Sequence, residues 1–389
     1  MPSNAAYDLA VVGAGPAGSS AARRASQLGL RVLLVDKAAM PREKTCGGAV
    51  SHRAQGYLDF SLPLHLLDSE CYGARVCYGA LSSEGRCSER IAVLVSRERF
   101  DSFLLQKAQE SGAEHRTAHV RDVQDEGRTV LLRTPVGEVR ARAAILAHGA
   151  HGNLCQRVRP QDTPAESGIC LEARVPAATA PLPPGLVDIH FGVAAFGYGW
   201  VFPHGSYCSV GVGGLRDRFP RPREAFEGFC EGLGIPARDL RPRGHFIPCG
   251  GVRRTLAANR LFLAGDAAGF VDPFDGEGIA YAIRSGQLAA ESVHESLRGH
   301  EDFCAGARGY TARCHSEFGR NLGYSLLVTR LMHRFPDLLL RIFAGDRRVL
   351  ERYLEVPMQN LSYQGFLAWL ALRMPVSLFK GALAARRAA

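Results

Sequence analysis

"YDLAVVGAGPAGSSAARRASQLGLRVLLVDK", residues 7–37, decides the fold. Tyr7 to Val12 reads as a buried strand. Gly13, Gly15 and Gly18 then fall as GxGxxG at a strand-to-helix turn. Ala17, Ala21, Ala22, Ala25 and Leu28 continue as a helix with a small apolar face, and Arg31 to Val35 is a second strand that ends at Asp36. This is a complete βαβ unit. Its glycines allow a tight turn, close approach of a pyrophosphate and tight helix–strand packing. The helix N-terminus turns free N–H groups toward phosphate. Asp36 lies 18 residues after Gly18, where a carboxylate binds the ribose hydroxyls of an adenosine. The unit therefore reads as a dinucleotide site. The competing reading is a glycine-rich turn in an unrelated α/β domain, and at this point NAD and FAD are not separated.

A second stretch separates them. Residues 260–291 read "RLFLAGDAAGFVDPFDGEGIAYAIRSGQLAAE". Arg260 to Ala264 is a short buried strand with Gly265 and Asp266 at its end. Pro273 stiffens the following loop, and Gly276-Glu277-Gly278 opens a helix. Its apolar positions, Ile279, Ala282, Ile283, Gly286, Ala289, Ala290 and Val293, recur at helical spacing. A carboxylate at a strand end accepts hydrogen bonds from a polyol. A glycine-rich helix start offers N–H groups and a positive dipole end to a nearby negative charge. A ribityl chain and the anionic edge of a reduced flavin need that pair of features, and an NAD enzyme has no use for it.

The rest of the composition sets bounds. The 389 residues allow two or three structural units and a large core, and a 46% apolar, 22% charged chain is ordinary globular protein. The net charge of +9 is compatible with an anionic ligand, nucleic acid or an acidic membrane surface. The basic residues are scattered, which reads as arginine-rich composition, and no nucleic-acid partner is expected. Eleven cysteines fall irregularly with no CxxC pair, so no metal centre is expected and reduced thiols in the cytoplasm are. The N-terminus has no basic n-region and no apolar run is long enough to span a membrane.

"GAGPAG" with "GDAAGFVDPFDGEGI" resembles the FAD-binding pattern of flavoprotein monooxygenases and their relatives. Within that group, "PREKTCGGAVS" (41–51) and "GYGWVFPHG" (197–205) are similar to the geranylgeranyl reductase family, which carries a CxG- or CGG-type segment after the first βαβ and a YxWxFPK-like hairpin. The resemblance runs from residue 7 to about residue 295.

The resemblance implies FAD as cofactor. Gly13, Gly15, Ala17, Gly18, Asp36 and Lys37 would hold its adenosine and pyrophosphate. Gly265 and Asp266 would hold the ribityl chain, and Pro273, Gly276, Gly278 and Ile279 would lie along the isoalloxazine. Cys46, Gly47 and Gly48 would run past the flavin ring. "VSRERFDSFLLQKA" (95–108) is similar to an RxxFDxxL segment, in which Arg97 would approach the cofactor while Phe100, Leu104 and Leu105 pack. The bland alternative for Arg97 is a surface charge. Cys46 is the candidate catalytic residue, as proton donor to the substrate; its alternatives are a nucleophile, an electrostatic neighbour and a small filler at a turn. Two departures stand out. His148 occupies the place of an aspartate common in relatives, and reads as a solvated loop histidine or a catalytic one. His204 ends the hairpin where the reductase pattern usually has lysine.

The expected fold is therefore α/β. A Rossmann-like FAD-binding domain is formed by 1–56, 96–160 and 245–300, a β-sheet substrate domain by 57–95 and 161–244 is inserted, and a helical C-terminal region covers 301–389. Trp200 and Phe202, with Tyr198, alternate onto one sheet face, as core or as the wall of a substrate pocket. The C-terminal segments, apolar with interspersed arginines, read as helices that pack on the substrate domain or as an amphipathic surface for a membrane. The implied function is hydride transfer from reduced flavin to carbon–carbon double bonds of a polyprenyl substrate, fed by an external donor (NAD(P)H or a redox protein). The enzyme would be cytoplasmic or peripheral to a membrane. The alternatives are an FAD-dependent monooxygenase or halogenase acting on a natural product, and a flavoprotein redox sensor without turnover. The halogenase hairpin is WxWxIP-like, whereas this chain has Tyr198 and Phe202 at its outer positions.

Overall fold

The computed structural model describes residues 6–249, 254–299 and 301–373. The chain divides into two compact units. One comprises Met1–Lys44, Arg97–Thr163 and Ile247–Leu322, the other Thr45–Ser96, Pro164–Phe246 and Gly323–Ala389. Residues 45–56 thus belong to the second unit instead of the first. The helices after residue 300 divide between the two units instead of forming a third.

The first unit is built on a parallel core. The strand Tyr7–Val12 lies centrally, paired in parallel with Gly137–Leu146 on one side and Val32–Asp36 on the other. Glu114–Thr117 extends the sheet beyond Val32–Asp36, and Leu261–Leu263 extends it beyond Gly137–Leu146. The strands at 32–36 and 261–263 stand within a residue or two of where the sequence puts them. Leu9 to Val11 and Leu33 to Leu34 are fully buried, as strands covered on both faces must be. The helix Pro16–Gln27 begins with proline at its first turn, which costs no hydrogen bond there. It lies against the helix Ile279–Arg298, and the crossing is close. A Cβ on Gly286 would sit 2.2 Å from the Ala17 carbonyl oxygen, so the two backbones touch. The helix Arg97–Glu110 buries Phe100, Leu104 and Leu105, as the periodicity predicts.

The second unit is built on a seven-stranded sheet in the order 243–248, 167–176, 207–215, 198–203, 186–191, 73–78, 81–86. Tyr198–Pro203 and Tyr207–Leu215 form the hairpin read from the sequence, turning at His204-Gly205-Ser206. One face carries Val201, Val210 and Val212, closed by Phe226 and Phe229 of the helix Pro222–Gly232. A smaller sheet joins Ala49–Ser51, Ala92–Val95 and Leu67–Cys71. The chain after 322 is helical, as expected: Arg320–Arg334, Pro336–Gly345, Arg347–Leu354 and residues 363–373. The basic end of the chain, 374–389, lies outside the described residues. No helix among the described residues is long and apolar enough to cross a membrane.

Candidate active site

The nucleotide features of the first unit converge at the carboxyl ends of its parallel strands. Gly13 has φ of 105°, and a Cβ there would lie 2.2 Å from the Ala147 carbonyl oxygen; a Cβ on Gly18 would lie 1.7 Å from the Gly13 carbonyl. Only glycine fits either position. The buried Asp36 carboxylate ties the turn together. It accepts from the Ala14 N–H at 2.6 Å and the Ala38 N–H at 2.9 Å. Each oxygen keeps a lone pair for a ribose hydroxyl. Lys37 beside it is exposed.

Arg97 is not a surface charge. It is buried, and its guanidinium forks onto Asp101 at 2.8 and 2.9 Å. Asp101 is fully buried and also pairs with Arg42 at 3.1 Å. Arg42 Nη2 would lie 3.4 Å from a Cβ on Gly15, so this guanidinium stands directly beside the glycine turn. Two guanidiniums on one carboxylate, one of them at a GxGxxG turn, suit a diphosphate. The sequence reading missed Arg42 and Asp101. The available signal was the four-residue spacing from Arg97 to Asp101 on one helix face.

Gly265 and Ala17 meet, a Cβ on the first falling 2.9 Å from the second. The Asp266 carboxylate accepts no hydrogen bond among the described residues. The loop that follows folds around a residue the sequence reading passed over, Asp272. It is buried, and its Oδ1 accepts from the Phe274 N–H at 2.9 Å. Its own N–H donates to the Glu277 carbonyl at 2.8 Å. This staple presents half-buried Pro273 and exposed Gly276. The helix then starts at buried Ile279 with Gly278 as a cap that has no side chain to satisfy the first N–H groups. An unpartnered carboxylate and an uncapped helix start are what a ribityl polyol and an anionic flavin edge require, so the residues fit FAD.

His148 corrects the reading as a solvated loop residue. Its Nδ1 is closed off from solvent and has no hydrogen-bond partner among the described residues. Burial first, then Arg159 and Lys37, push its pKa down to about 4. It is a neutral imidazole bordering the glycine turn: a Cβ on Gly13 would lie 3.1 Å from the His148 Cα.

The second unit gathers the remaining candidates on one face of its large sheet. Three cross-strand rows share that face: Tyr198, Gly213 and Cys170; Trp200, Gly211 and Glu172; Phe202, Ser209 and Arg174. A Cβ on Gly211 would sit 2.3 Å from the Trp200 ring, so the missing side chain lets the indole lie flat over the sheet. The Trp200 Nε1–H donates to Ser209 Oγ at 3.1 Å, and Ser209 Oγ–H donates to Glu172 Oε1 at 2.9 Å. Glu172 is buried, and its Oε2 has no hydrogen-bond partner among the described residues. Burial raises its pKa; Ser209 and the Cys46 backbone N–H oppose the rise. The sequence reading missed this carboxyl, although a glutamate inside the strand "SGICLEARVP" was a visible anomaly.

The cysteine loop rests on this face. A Cβ on Gly47 would lie 2.7 Å from the Phe202 ring and 3.6 Å from Trp200 Nε1. Gly48 has φ of 73°, and its N–H points at Cys46 Sγ at 3.5 Å. His204, 4% exposed, bridges Asp68 Oδ2 at 2.9 Å from Nδ1 and the Gly47 carbonyl at 3.0 Å from Nε2. Cys46, Gly47, Gly48, Trp200, Phe202 and His204 are thus brought together in the second unit.

Residues 7–166 match the family described as pyridine nucleotide-disulphide oxidoreductase. The geranylgeranyl diphosphate reductase of Rhodobacter capsulatus is 33% identical over 312 residues, covering 75% of this chain and 76% of that protein. The chain belongs to the geranylgeranyl reductase family. It is an FAD-dependent oxidoreductase. A second member, digeranylgeranylglycerophospholipid reductase 1 of Methanopyrus kandleri, is 32% identical over 80% of this chain and 87% of its own length. Among solved structures, a geranylgeranyl bacteriochlorophyll reductase-like protein from Thermoplasma acidophilum superposes with a TM-score of 0.79 at 22% identity, covering 96% of this chain and 98% of that one. The flavin-dependent brominase Bmp2 gives 0.73 at 19% identity over 96% and 98%. Both likenesses are of fold alone. The family's cysteine segment and aromatic hairpin are the two features that the second unit packs against each other.

Proposed function

We propose that this chain reduces carbon–carbon double bonds of a polyprenyl substrate. The observation that carries the reading is the seating of the Cys46 loop on the apolar face of Tyr198, Trp200 and Phe202. FAD supplies the hydride when it is bound and reduced. Gly13, Gly15, Ala17, Gly18, Asp36 and Lys37 hold its adenosine and diphosphate, with Arg42 and Arg97 countering the phosphate charge. Asp266 accepts from its ribityl hydroxyls. The segment Gly265 to Ile279, through Pro273, Gly276 and Gly278, shapes the place of the ring.

The aromatic face supports a prenyl substrate chemically. An isolated alkene offers no hydrogen-bonding group, so it is held by shape and dispersion on apolar surface. Tyr198 and Trp200 rings meet edge-on at 6.3 Å, and Phe202 continues the row at 6.5 Å from Trp200. The Cys46 thiol gives the proton to the carbon next to the one that receives hydride. A two-electron donor outside the chain, NAD(P)H or a redox protein, restores the reduced cofactor. The C-terminal helices expose Leu327 and Phe335 among Arg330 and Arg334, a surface suited to the headgroups of an anionic bilayer in which prenyl lipids reside.

The test is Cys46→Ala. The variant keeps FAD bound and reducible but reoxidises at least ~100-fold more slowly with substrate, the usual loss on removing a general acid. A fall of only two- or threefold would leave Cys46 as packing.

A further inference from the structure

We propose that His204, charged and paired with Asp68, is a positioning residue that holds the Cys46–Gly48 loop through a hydrogen bond to the Gly47 carbonyl. The clamp is a property of the loop. Its catalytic consequence rests on the proposed role of Cys46.

Both ring nitrogens of His204 face oxygen atoms that accept and do not donate. Nδ1 is 2.9 Å from the Asp68 carboxylate and Nε2 is 3.0 Å from the Gly47 carbonyl oxygen. A neutral imidazole has one N–H and would turn a lone pair against one of these oxygens. The imidazolium donates to both. Its charge is tolerated at 4% exposure because Asp68 faces it. The ring cannot swing away. It stacks on Tyr207 with centroids 4.7 Å apart and planes 6° apart, and the Arg174 guanidinium lies over that tyrosine at 5.0 Å. The loop cannot slide either. A Cβ on Gly48 would lie 2.9 Å from His204 Cε1 and 2.3 Å from the Val95 carbonyl oxygen.

The peptide segment that carries the thiol is therefore gripped from several sides. The Gly47 carbonyl is held by His204, the Gly48 carbonyl accepts from the Val95 N–H at 2.9 Å, and the Cys46 N–H faces buried Glu172. Such a grip fixes where Sγ points, which a proton donor needs and a turn filler does not. The ionisable groups that face the ring are Asp68 directly, Glu172 and Cys46 from the loop side, and Tyr207 and Arg174 from the stack.

The test uses the FAD-loaded full chain and measures alkylation of Cys46 by iodoacetamide, read by peptide mass spectrometry. His204→Ala is expected to raise the Cys46 rate about tenfold, the scale of one charge-assisted hydrogen bond, with Cys304, exposed in the other unit, unchanged. His204→Lys carries a charge and donors of its own and is expected to restore the slow rate. Turnover of His204→Ala falls in kcat with KM and flavin occupancy retained. Should the alanine variant not fold, His204→Gln replaces it, since its amide turns its N–H groups to the Asp68 carboxylate and its oxygen against the Gly47 carbonyl. An unchanged Cys46 rate in a folded alanine or glutamine variant overturns the clamp, as does failure of His204→Lys to restore it. The labelling is independent of turnover, so full activity in Cys46→Ala would sink the proton-donor reading without touching this result.

Discussion

Ser209 and Glu172 share a hydrogen bond of 2.9 Å on one face of the seven-stranded sheet, from adjacent strands, and Ser209 also accepts from the Trp200 indole N–H at 3.1 Å. The relationship makes a buried carboxyl part of the aromatic floor. Burial holds its folded-state pKa above the ordinary value. An acid of this kind stabilises the fold fully below its unfolded pKa, and that contribution is lost as pH rises through the folded value. Glu172→Gln removes the dependence. Thermal unfolding from mildly acid to mildly alkaline pH should show the variant gaining on the wild type as pH rises. A difference in Tm that stays constant over that window would mean that Glu172 does not carry the raised pKa.

Asp266→Ala should strip flavin from the purified protein. The carboxylate has no partner of its own among the described residues, so its replacement removes acceptors from the ligand and leaves no protein group unsatisfied. Loss of one or two hydrogen bonds to a charged acceptor costs about 1.5–3 kcal/mol each. Flavin-to-protein ratio by absorbance is the measurement, and full occupancy with an unchanged spectrum would refute the ribityl assignment.

Arg42→Ala and Arg97→Ala should separate binding from folding. Asp101 keeps Arg97 when Arg42 is removed. The first variant should therefore fold normally and bind FAD about tenfold more weakly, a loss of ~1.4 kcal/mol. Arg97→Ala takes away the bidentate partner of a fully buried carboxylate and should cost on the order of 3–5 kcal/mol of stability. Equal effects of the two on Tm would contradict this division.

Much of this was legible because each feature is local. The run Tyr7 to Val12 and the spacing Gly13, Gly15, Gly18 announce strand, turn and helix within a dozen residues, and the structure has them there. The same holds for Gly265 to Ile279 and for the hairpin around His204. What escaped was assembled from distant positions. Arg42 and Asp101 meet across 59 residues, and Asp68 and His204 across 136. Glu172 reaches the indole only because two intervening strand positions are small, Gly211 and Ser209. A sequence shows a residue's type and neighbours along the chain; these partnerships exist only once the strands are in register. His148 misled for the opposite reason, since a histidine between glycines has the composition of an exposed loop, yet the fold closes over its Nδ1.

The exposed Leu327 and Phe335, set among Arg330 and Arg334, should give binding to anionic vesicles. Co-sedimentation with phosphatidylglycerol liposomes should be strong at low salt and weaken at moderate salt, because the attraction is partly electrostatic and screened. Leu327→Ser with Phe335→Ser should weaken it without changing flavin content. No co-sedimentation at low salt would return these helices to packing alone.

Reduction of an isolated alkene is distinguished from oxygenation or halogenation by whether the reduced flavin needs oxygen to react. The most direct measurement is single-turnover reoxidation of the photoreduced protein under strict exclusion of oxygen, with geranylgeranyl diphosphate as the trial substrate and mass spectrometry of the product. For a reductase, flavin absorbance returns without oxygen and the product has gained two hydrogens for each flavin reoxidised. Flavin that stays reduced until oxygen is admitted, with a product that then carries an added oxygen or halogen, would contradict it.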